Sequence, residues 1–365
     1  MIDNLLERSI ADNLEALDIS PSMFKEATEH YQSVSKFLCD QEIDADFYPQ
    51  GSFATGTVVR PYKKDSDGYF DLDVVCRRNV AASTTMPSAT RTPVENVLTK
   101  SGLYRPMMKS YPECLTLRYV ENGKRGGFRL DIVIAAYRQA EDSSSDPIAI
   151  AKHDKHWEWL NSNPKALINW FNAVNEPYSM FSSGQERDRL FKSNRGIYAS
   201  IEDVPREMER TSLQRTIQVL KRSRDVYTTN ARIEEELMPS CVIMVLAGTI
   251  AQTCSPASNT IELLPTITRQ LSSAVSDGQQ AVDALLASAT DPNDGQPLVR
   301  WKISNQRALA RWLEEIETLI GCDTNDSAMF DKCVQHVFGK DAMTPKASAS
   351  FAPAIITKPT RPWAC

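Results

Sequence analysis

The stretch Tyr69-Phe70-Asp71-Leu72-Asp73-Val74-Val75-Cys76 decides how this chain is read. Its acids alternate with apolar, β-branched and aromatic residues, which marks a strand with one polar and one apolar face. Side chains at i and i+2 share a face, so Asp71 and Asp73 stand side by side while Phe70, Leu72 and Val74 turn the other way. Neighbouring carboxylates repel each other unless a cation lies between them, and a hard divalent ion such as Mg²⁺ is the natural partner for oxygen ligands. Taken alone, D-x-D equally describes an edge strand that shows its acids to water.

A second strand bears on that choice. Phe128-Arg129-Leu130-Asp131-Ile132-Val133-Ile134 sets one acid inside an apolar run, where an unpaired carboxylate is costly. It follows a strong hairpin signal, Asn122-Gly123-Lys124-Arg125-Gly126, between runs at 113–120 and 127–137. If this strand neighbours 69–76, Asp131 joins Asp71 and Asp73. Three such acids can hold two metal ions for in-line phosphoryl transfer, with Asp131 also placed to act as general base.

Upstream lies Pro49-Gln50-Gly51-Ser52-Phe53-Ala54-Thr55-Gly56-Thr57. A Gly-Ser at a strand-to-helix turn lets backbone N–H groups approach phosphate oxygens, and the serine adds a hydroxyl donor. Alone it is a turn. Followed by D-x-D and a third, distant Asp, it becomes more specific. It is neither a G-x-x-x-x-G-K-[ST] loop nor a dinucleotide-binding fingerprint.

Around these motifs the chain divides by texture. Residues 1 to about 40 carry apolar residues at helical spacing, β-rich runs follow, and 141–147 reads as a surface loop. From Trp157 onward helices are expected at 157–175, 211–226, 240–254, 261–288 and 301–320. We therefore expect an α+β core lobe with its N-terminal helix over 1–190, a helical lobe over 191–340, and a flexible, proline-rich tail over 341–365.

Composition narrows the function. At 365 residues, two lobes fit. A net charge of −6 argues against a protein that coats nucleic acid, which needs a broad basic face. No run of apolar residues is long enough for a membrane span, and the acidic start is unlike a secretion signal. The eight scattered cysteines form no C-x-x-C pair and suggest reduced thiols in a cytoplasmic protein. His153 and His156 spell H-x-x-H, yet no further metal ligand lies nearby in sequence. Tyr62, Tyr69 and Tyr198 are candidates to stack on a base, with packing as the plainer reading.

In 211–226, Leu213, Ile217 and Leu220 form an apolar stripe, and Gln214, Gln218, Lys221 and Asp225 a polar one, for which solvent is the simplest partner. Met238-Pro239-Ser240 opens a nearly all-apolar, hence buried, helix. Ser240 at its start suits either a helix cap or an anion.

The motif set G-S-x-x-x-G-T, D-x-D and a later Asp resembles the polymerase-β-type nucleotidyltransferases. The stretches Gln50-Gly51-Ser52-Phe53-Ala54-Thr55-Gly56-Thr57-Val58-Val59-Arg60-Pro61 and Thr211-Ser212-Leu213-Gln214-Arg215-Thr216-Ile217-Gln218-Val219-Leu220-Lys221-Arg222-Ser223-Arg224-Asp225 are similar to the bacterial CD-NTases, relatives of animal cyclic GMP-AMP synthase. The likeness runs over roughly 40–340. It departs at Ser212 and Ser223, where family members often have Pro and His or Trp.

The resemblance implies a bilobed enzyme with a polymerase-β-like core, a helical lobe and a cleft between them. Asp71, Asp73 and Asp131 would carry two Mg²⁺ ions, with Mn²⁺ an alternative. Gln50, Gly51, Ser52, Lys221 and Ser240 would bind the nucleotide triphosphate. The implied reaction joins NTPs, ATP or GTP, into a cyclic di- or trinucleotide messenger for anti-phage signalling through a nucleotide-activated effector. The tail would be a substrate for ubiquitin-like conjugation. The rival readings are a transferase acting on RNA ends or on a protein, for which no obvious nucleic-acid track is visible, and a non-catalytic interaction protein.

Overall fold

The computed structural model describes residues 3–19, 21–60, 62–63, 66–67, 70–119, 127–138, 146–193, 209–235, 237–339 and 342. The elements in its first half are α1 (Asp3–Leu17), α2 (Pro21–Asp40), β1 (Ala45–Gln50), α3 (Gly51–Ala54), β2 (Tyr62–Lys63) and β3 (Ser66–Asp67). There follow β4 (Phe70–Ala81), α4 (Pro87–Lys100), β5 (Met108–Ser110), β6 (Leu115–Tyr119), β7 (Phe128–Tyr137), β8 (Ile148–His153) and β9 (Trp157–Ser162). The remainder is helical: α5 (Pro164–Ser193), α6 (Ser212–Ala231), α7 (Ser240–Ala251), α8 (Thr260–Asp277), α9 (Gln279–Leu286), α10 (Gln306–Ile320) and α11 (Ser327–Phe338).

The acidic strand is β4, and it runs through a mixed sheet of order β1-β4-β7-β6-β5, with β8 and β9 extending from the end of β7. β4 and β7 are parallel neighbours, while β1, β6 and β8 join antiparallel. The even positions of β4 and β7 (Phe70, Leu72, Val74, Leu130, Ile132) pack with α2 and α4 in one apolar core. The odd positions face the other way. The expected α+β class and the following helical lobe are present, and β6 and β7 pair as the hairpin signal predicts. The turn at 122–126, most of the 141–147 loop, Tyr69, Tyr198 and all of the tail except Ala342 lie outside the described residues.

A second core is built around α6. Leu213, Ile217 and Leu220 pack with the apolar residues of α7, α8, α10 and α11. The helix α1 (Leu6, Ile10, Leu14) and the start of α5 (Phe171, Val174) join the same core, so the helical layer draws on segments from both sides of residue 190.

Several helical expectations need correcting. The helix expected over 157–175 begins only at Pro164, a residue suited to a first helical turn. Trp157–Ser162 is the strand β9, where half-buried Trp157 and Trp159 alternate with exposed Glu158 and Leu160 at a period of two. The segment 261–288 is two helices, broken at Gly278 with φ of +94°, which a continuous right-handed helix excludes. The first 40 residues likewise divide into α1 and α2, and α10 starts at Gln306, after a cap in which Asn305 Oδ1 accepts from the Ala308 N–H at 3.0 Å.

The largest correction concerns the polar stripe of α6. Gln214, Arg215, Gln218, Lys221, Arg222 and Arg224 are all buried and not solvated. Their side chains satisfy the backbone of 55–60, the segment leaving the Gly51-Ser52 turn. Gln214 Nε2 donates to the Thr55 carbonyl at 2.8 Å, Gln218 Nε2 to Val58 at 2.6 Å, Lys221 Nζ to Thr57 at 2.9 Å, and Arg222 Nη1 to Arg60 at 3.1 Å. Asp18, following α1, accepts from Arg215 at 2.6 Å and from Gln218 at 2.9 Å. Ser223, one of the positions departing from the family pattern, accepts the indole N–H of fully buried Trp312 at 2.9 Å.

Gln218→Leu preserves bulk but strips the buried Val58 carbonyl of its donor. Chemical denaturation should show a loss of about 1–3 kcal/mol. A loss no larger than that of the exposed-site variant Gln252→Leu would contradict the role assigned to this contact.

Candidate active site

The odd face of the sheet assembles the acids. In register, Asp73 of β4 lies opposite Asp131 of β7 and, on its other side, opposite Gln50 of β1; Asp71 lies opposite Arg129, and Asp131 opposite Thr116 of β6. Arg129 Nε donates to Asp71 Oδ1 at 2.6 Å and Nη2 to Oδ2 at 2.9 Å, while the Thr116 hydroxyl donates to Asp131 Oδ1. β1 ends in the turn to α3. Gly51 has φ of +62°, and a Cβ there would collide with Asp73 Oδ2. Glycine thus brings the backbone of the turn directly onto the carboxylates.

This crowding has an electrostatic cost. Burial, then the charges of Asp131 and Asp71, push the Asp73 carboxyl up to about 7, against the pull of Lys221 and Arg129. Asp131 is also raised, first by burial, with the Thr116 hydrogen bond opposing. Hard oxygen donors under mutual repulsion fit divalent cations such as Mg²⁺ or Mn²⁺, whose charge would relieve it. Among the described residues the acids do not converge as a closed metal cluster, and Asp71 is paired with Arg129. Each Asp71 oxygen keeps a second lone pair for a ligand.

Across from the acids stand α6 and α7. A cleft of about 640 Å³ is lined on one side by Gln50, Gly51, Ser52, Asp71 and Asp73, and on the other by Lys221 and Ser240. Seven of the eight residues singled out from sequence therefore meet there; Asp131 adjoins Asp73 but is not part of the lining. Burial and neighbouring Arg224 lower the Lys221 ammonium to about 8, while Asp225, Asp73 and Asp71 favour its charge. Ser240 is not the cap of α7. That position is Pro239, and the Ser240 hydroxyl accepts from Arg224 Nη1 at 3.2 Å. Arg224 in turn holds Asp225 through Nε and Nη2 at 2.9 and 2.7 Å.

Other residues of the site were not anticipated. Arg129 sits two positions before Asp131, so the same i, i+2 rule that pairs Asp71 with Asp73 was available to find it. Thr116 depends on strand register, and Asn163, Leu298 and Arg300, which also line the cleft, come from loops that carry no local signal. Asn163 caps α5 by accepting from the Ala166 N–H and donates to buried Asp291 at 3.1 Å. Of the H-x-x-H pair, His153 stacks on Trp157, with ring centres 4.0 Å apart, and His156 lies 3.9 Å from Glu158; among the described residues neither belongs to a group of three or more potential metal ligands. Tyr62 is buried, its ring 4.8 Å from the Arg222 guanidinium, and serves packing.

No family model matches the chain. A c-di-GMP synthase of Roseivirga ehrenbergii is 26% identical over 266 residues, which is 70% of this chain and 64% of that protein, so the chain spans slightly under two thirds of this curated relative. The CD-NTase CdnG of Bradyrhizobium diazoefficiens, solved with GTP, superposes with a TM-score of 0.70 at 20% identity, covering 94% of this chain and 97% of that one. DncV of Vibrio cholerae, without ligand, gives 0.54 at 16% identity over 94% and 81% of the two chains. The fold is that of the CD-NTases, and the resemblance expected from the motifs is found in both sequence and structure.

The raised Asp73 carboxyl has a consequence for stability. Its protonated form favours the folded chain, so its contribution is present at low pH and lost as pH rises through about 7. In chelator, Asp73→Asn should therefore stabilise the protein at pH 8, by an amount on the order of 2–4 kcal/mol, and far less near pH 4. An equal effect at both values, read by denaturant titration, would contradict the crowding of the acids.

Proposed function

We propose that this chain is a CD-NTase-type nucleotidyltransferase that joins NTPs into a cyclic di- or trinucleotide. One observation carries the reading: Asp73 and Asp131 are register partners beneath the Gly51-Ser52 turn, and a buried lysine faces them across a nucleotide-sized cleft. The fold shared with CdnG and the sequence likeness to a c-di-GMP synthase support it.

In this reading the donor triphosphate lies between the Gly51-Ser52 turn and α6–α7. Backbone N–H groups and the Ser52 hydroxyl donate to phosphate oxygens, and Lys221 supplies a point charge. Lys221 already bonds the Thr57 carbonyl, which holds its ammonium at the cleft wall. A ribose hydroxyl of a second nucleotide attacks the donor α-phosphorus. The new P–O bond forms as the bond to the β-phosphate breaks, pyrophosphate leaves with the electron pair, and the hydroxyl proton passes to Asp131. Asp71, Asp73 and Asp131 would hold two Mg²⁺ ions, which when bound supply charge neutralisation at the phosphates and acidify the attacking hydroxyl. A second transfer closes the ring.

We further place the product in anti-phage signalling, as the ligand of a nucleotide-activated effector, and the enzyme in the cytoplasm. No helix among the described residues is long and apolar enough to cross a membrane.

Mass spectrometry of products from all four NTPs with Mg²⁺ should reveal phosphatase-resistant cyclic oligonucleotides and pyrophosphate. Linear extension of RNA, or a nucleotidylated protein, would favour the rival transferases; no metal-dependent turnover would favour a non-catalytic role. Asp131→Asn should abolish turnover while the protein stays folded. Lys221→Ala and Ser240→Ala should each weaken binding of a non-hydrolysable NTP by about 1–3 kcal/mol, and unchanged affinity in both would return these residues to packing.

A further inference from the structure

Of the scattered cysteines, Cys322 and Cys333 are brought together at the corner between α10 and α11. Both are free thiols, and the Cys333 S–H donates to Cys322 Sγ at 3.0 Å. Carbon atoms rest against each other at about 3.5–4.0 Å, and sulfur is the larger atom, so this contact is closer than apolar packing alone makes it. A disulfide is about 2.05 Å long, so the sulfurs need to approach by only about 1 Å for a bond to form.

Backbone chemistry sets this corner. Gly321 ends α10 with its N–H on the Glu317 carbonyl at 3.0 Å, and the Cys322 N–H follows on Leu319 at 3.3 Å. Asp323 Oδ1 accepts from the Asn325 backbone N–H at 2.9 Å and from its side-chain amide at 2.8 Å. Asp326 then caps α11 by accepting from the Met329 N–H at 3.0 Å. Cys333 lies about two turns into α11, on the face that carries Phe330, Val334 and Val337 into the core.

The two thiols differ in access. Cys322 is half-buried and Cys333 is buried. Burial, then the contact with Cys322, pushes the Cys333 thiol up to about 12 and keeps it protonated. Among the described residues no third potential ligand joins the pair, and two sulfurs fall short of the four donors of a structural zinc site.

We propose that Cys322 and Cys333 form a redox-active dithiol, which a hydroperoxide closes to a disulfide that staples α11 to the end of α10. The Cys322 thiol gives up its proton, and its sulfur attacks one oxygen of the peroxide. The O–O bond breaks, the departing hydroxide takes up a proton as water, and Cys322 becomes a sulfenic acid. The Cys333 sulfur then attacks the Cys322 sulfur. The S–O bond breaks, and the hydroxide leaves as a second water with the Cys333 proton. Two thiols have lost two electrons and two protons, and one hydrogen peroxide has become two waters. Contact with Cys333 resolves the sulfenic acid before further, irreversible oxidation, and a dithiol reductant restores both thiols by exchange.

The stapled helix matters beyond its corner. In its last turn the Phe338 carbonyl accepts from Arg222 Nε at 2.9 Å, and Nη1 of the same guanidinium donates to Arg60 at 3.1 Å, on the segment that leaves the Gly51-Ser52 turn. Oxidation thus braces the helix that holds Arg222. Neither cysteine lines the cleft, so the staple works whatever reaction the cleft performs.

The test treats the purified full chain with hydrogen peroxide, blocks remaining thiols with a maleimide and digests with trypsin. Cleavage after Arg311, Lys332 and Lys340 puts Cys322 and Cys333 on separate peptides, 312–332 and 333–340. Mass spectrometry should find them linked, two hydrogen masses below their sum, in protein that stays monomeric on a non-reducing gel, and dithiothreitol should separate them. The oxidised wild type should melt roughly 4 °C above the reduced form, as a disulfide closing a short loop implies for a chain of this length. Cys322→Ser should melt close to the reduced wild type and show no rise with peroxide. The peptide map needs no variant, so it stands whatever the substitution does to folding. Three results would each overturn the proposal: Cys322 oxidised to sulfinic acid with no linked peptide, a link to another cysteine or another molecule in its place, or a linked protein that melts no higher than the reduced one.

Discussion

The four side-chain hydrogen bonds from α6 to the carbonyls of 55–60 are the constraint on which the site depends. A segment that leaves a tight turn and runs across the front of a helix cannot pair its backbone in a ladder, and buried carbonyls without donors are costly. Gln214, Gln218, Lys221 and Arg222 solve that problem from one helix face. The same bonds hold the Gly51-Ser52 turn at a set separation from Lys221. The turn and the opposing ammonium are therefore gauged against each other by bonds to the backbone, which in the proposed function sets the donor site in advance of the nucleotide.

The acids are arranged on the opposite principle. Gly51 admits Asp73 so closely that the carboxyl is desolvated, and Asp71 and Asp131 add like charge. This part of the sheet is less stable than it would be with neutral residues, and the deficit is one that a bound cation would relieve. Thr116 and Arg129 moderate the repulsion without removing it. Stability conceded at one point of an otherwise well-packed sheet is the common signature of a site shaped for binding.

Strands β4 and β7, the β6–β7 hairpin and the Gly51-Ser52 turn were legible because period-two alternation and turn residues are local signals. So were Gly51, Ser52, Asp71 and Asp73, since glycine, serine and acids in that order carry chemical meaning, whereas Gln50, Lys221 and Ser240 were reached through the family resemblance. What was not legible depends on contacts distant in sequence. Nothing local distinguishes a polar stripe facing water from one facing buried carbonyls, so α6 was misread. Trp157–Ser162 was assigned to a helix because its neighbours are helical, and only pairing with β8 makes it a strand.

The distance in sequence between partners has one further consequence. The bonds from α6 reach back 159 to 164 residues, and those to Asp18 reach back 197 and 200. Pairings of such range form late, because loop closure must precede any gain from contact. During synthesis, the strands bearing all three acids emerge well before the helix that supplies Lys221 and braces the turn. A nascent chain thus carries the carboxylates without their opposing wall, which is added only when α6 docks.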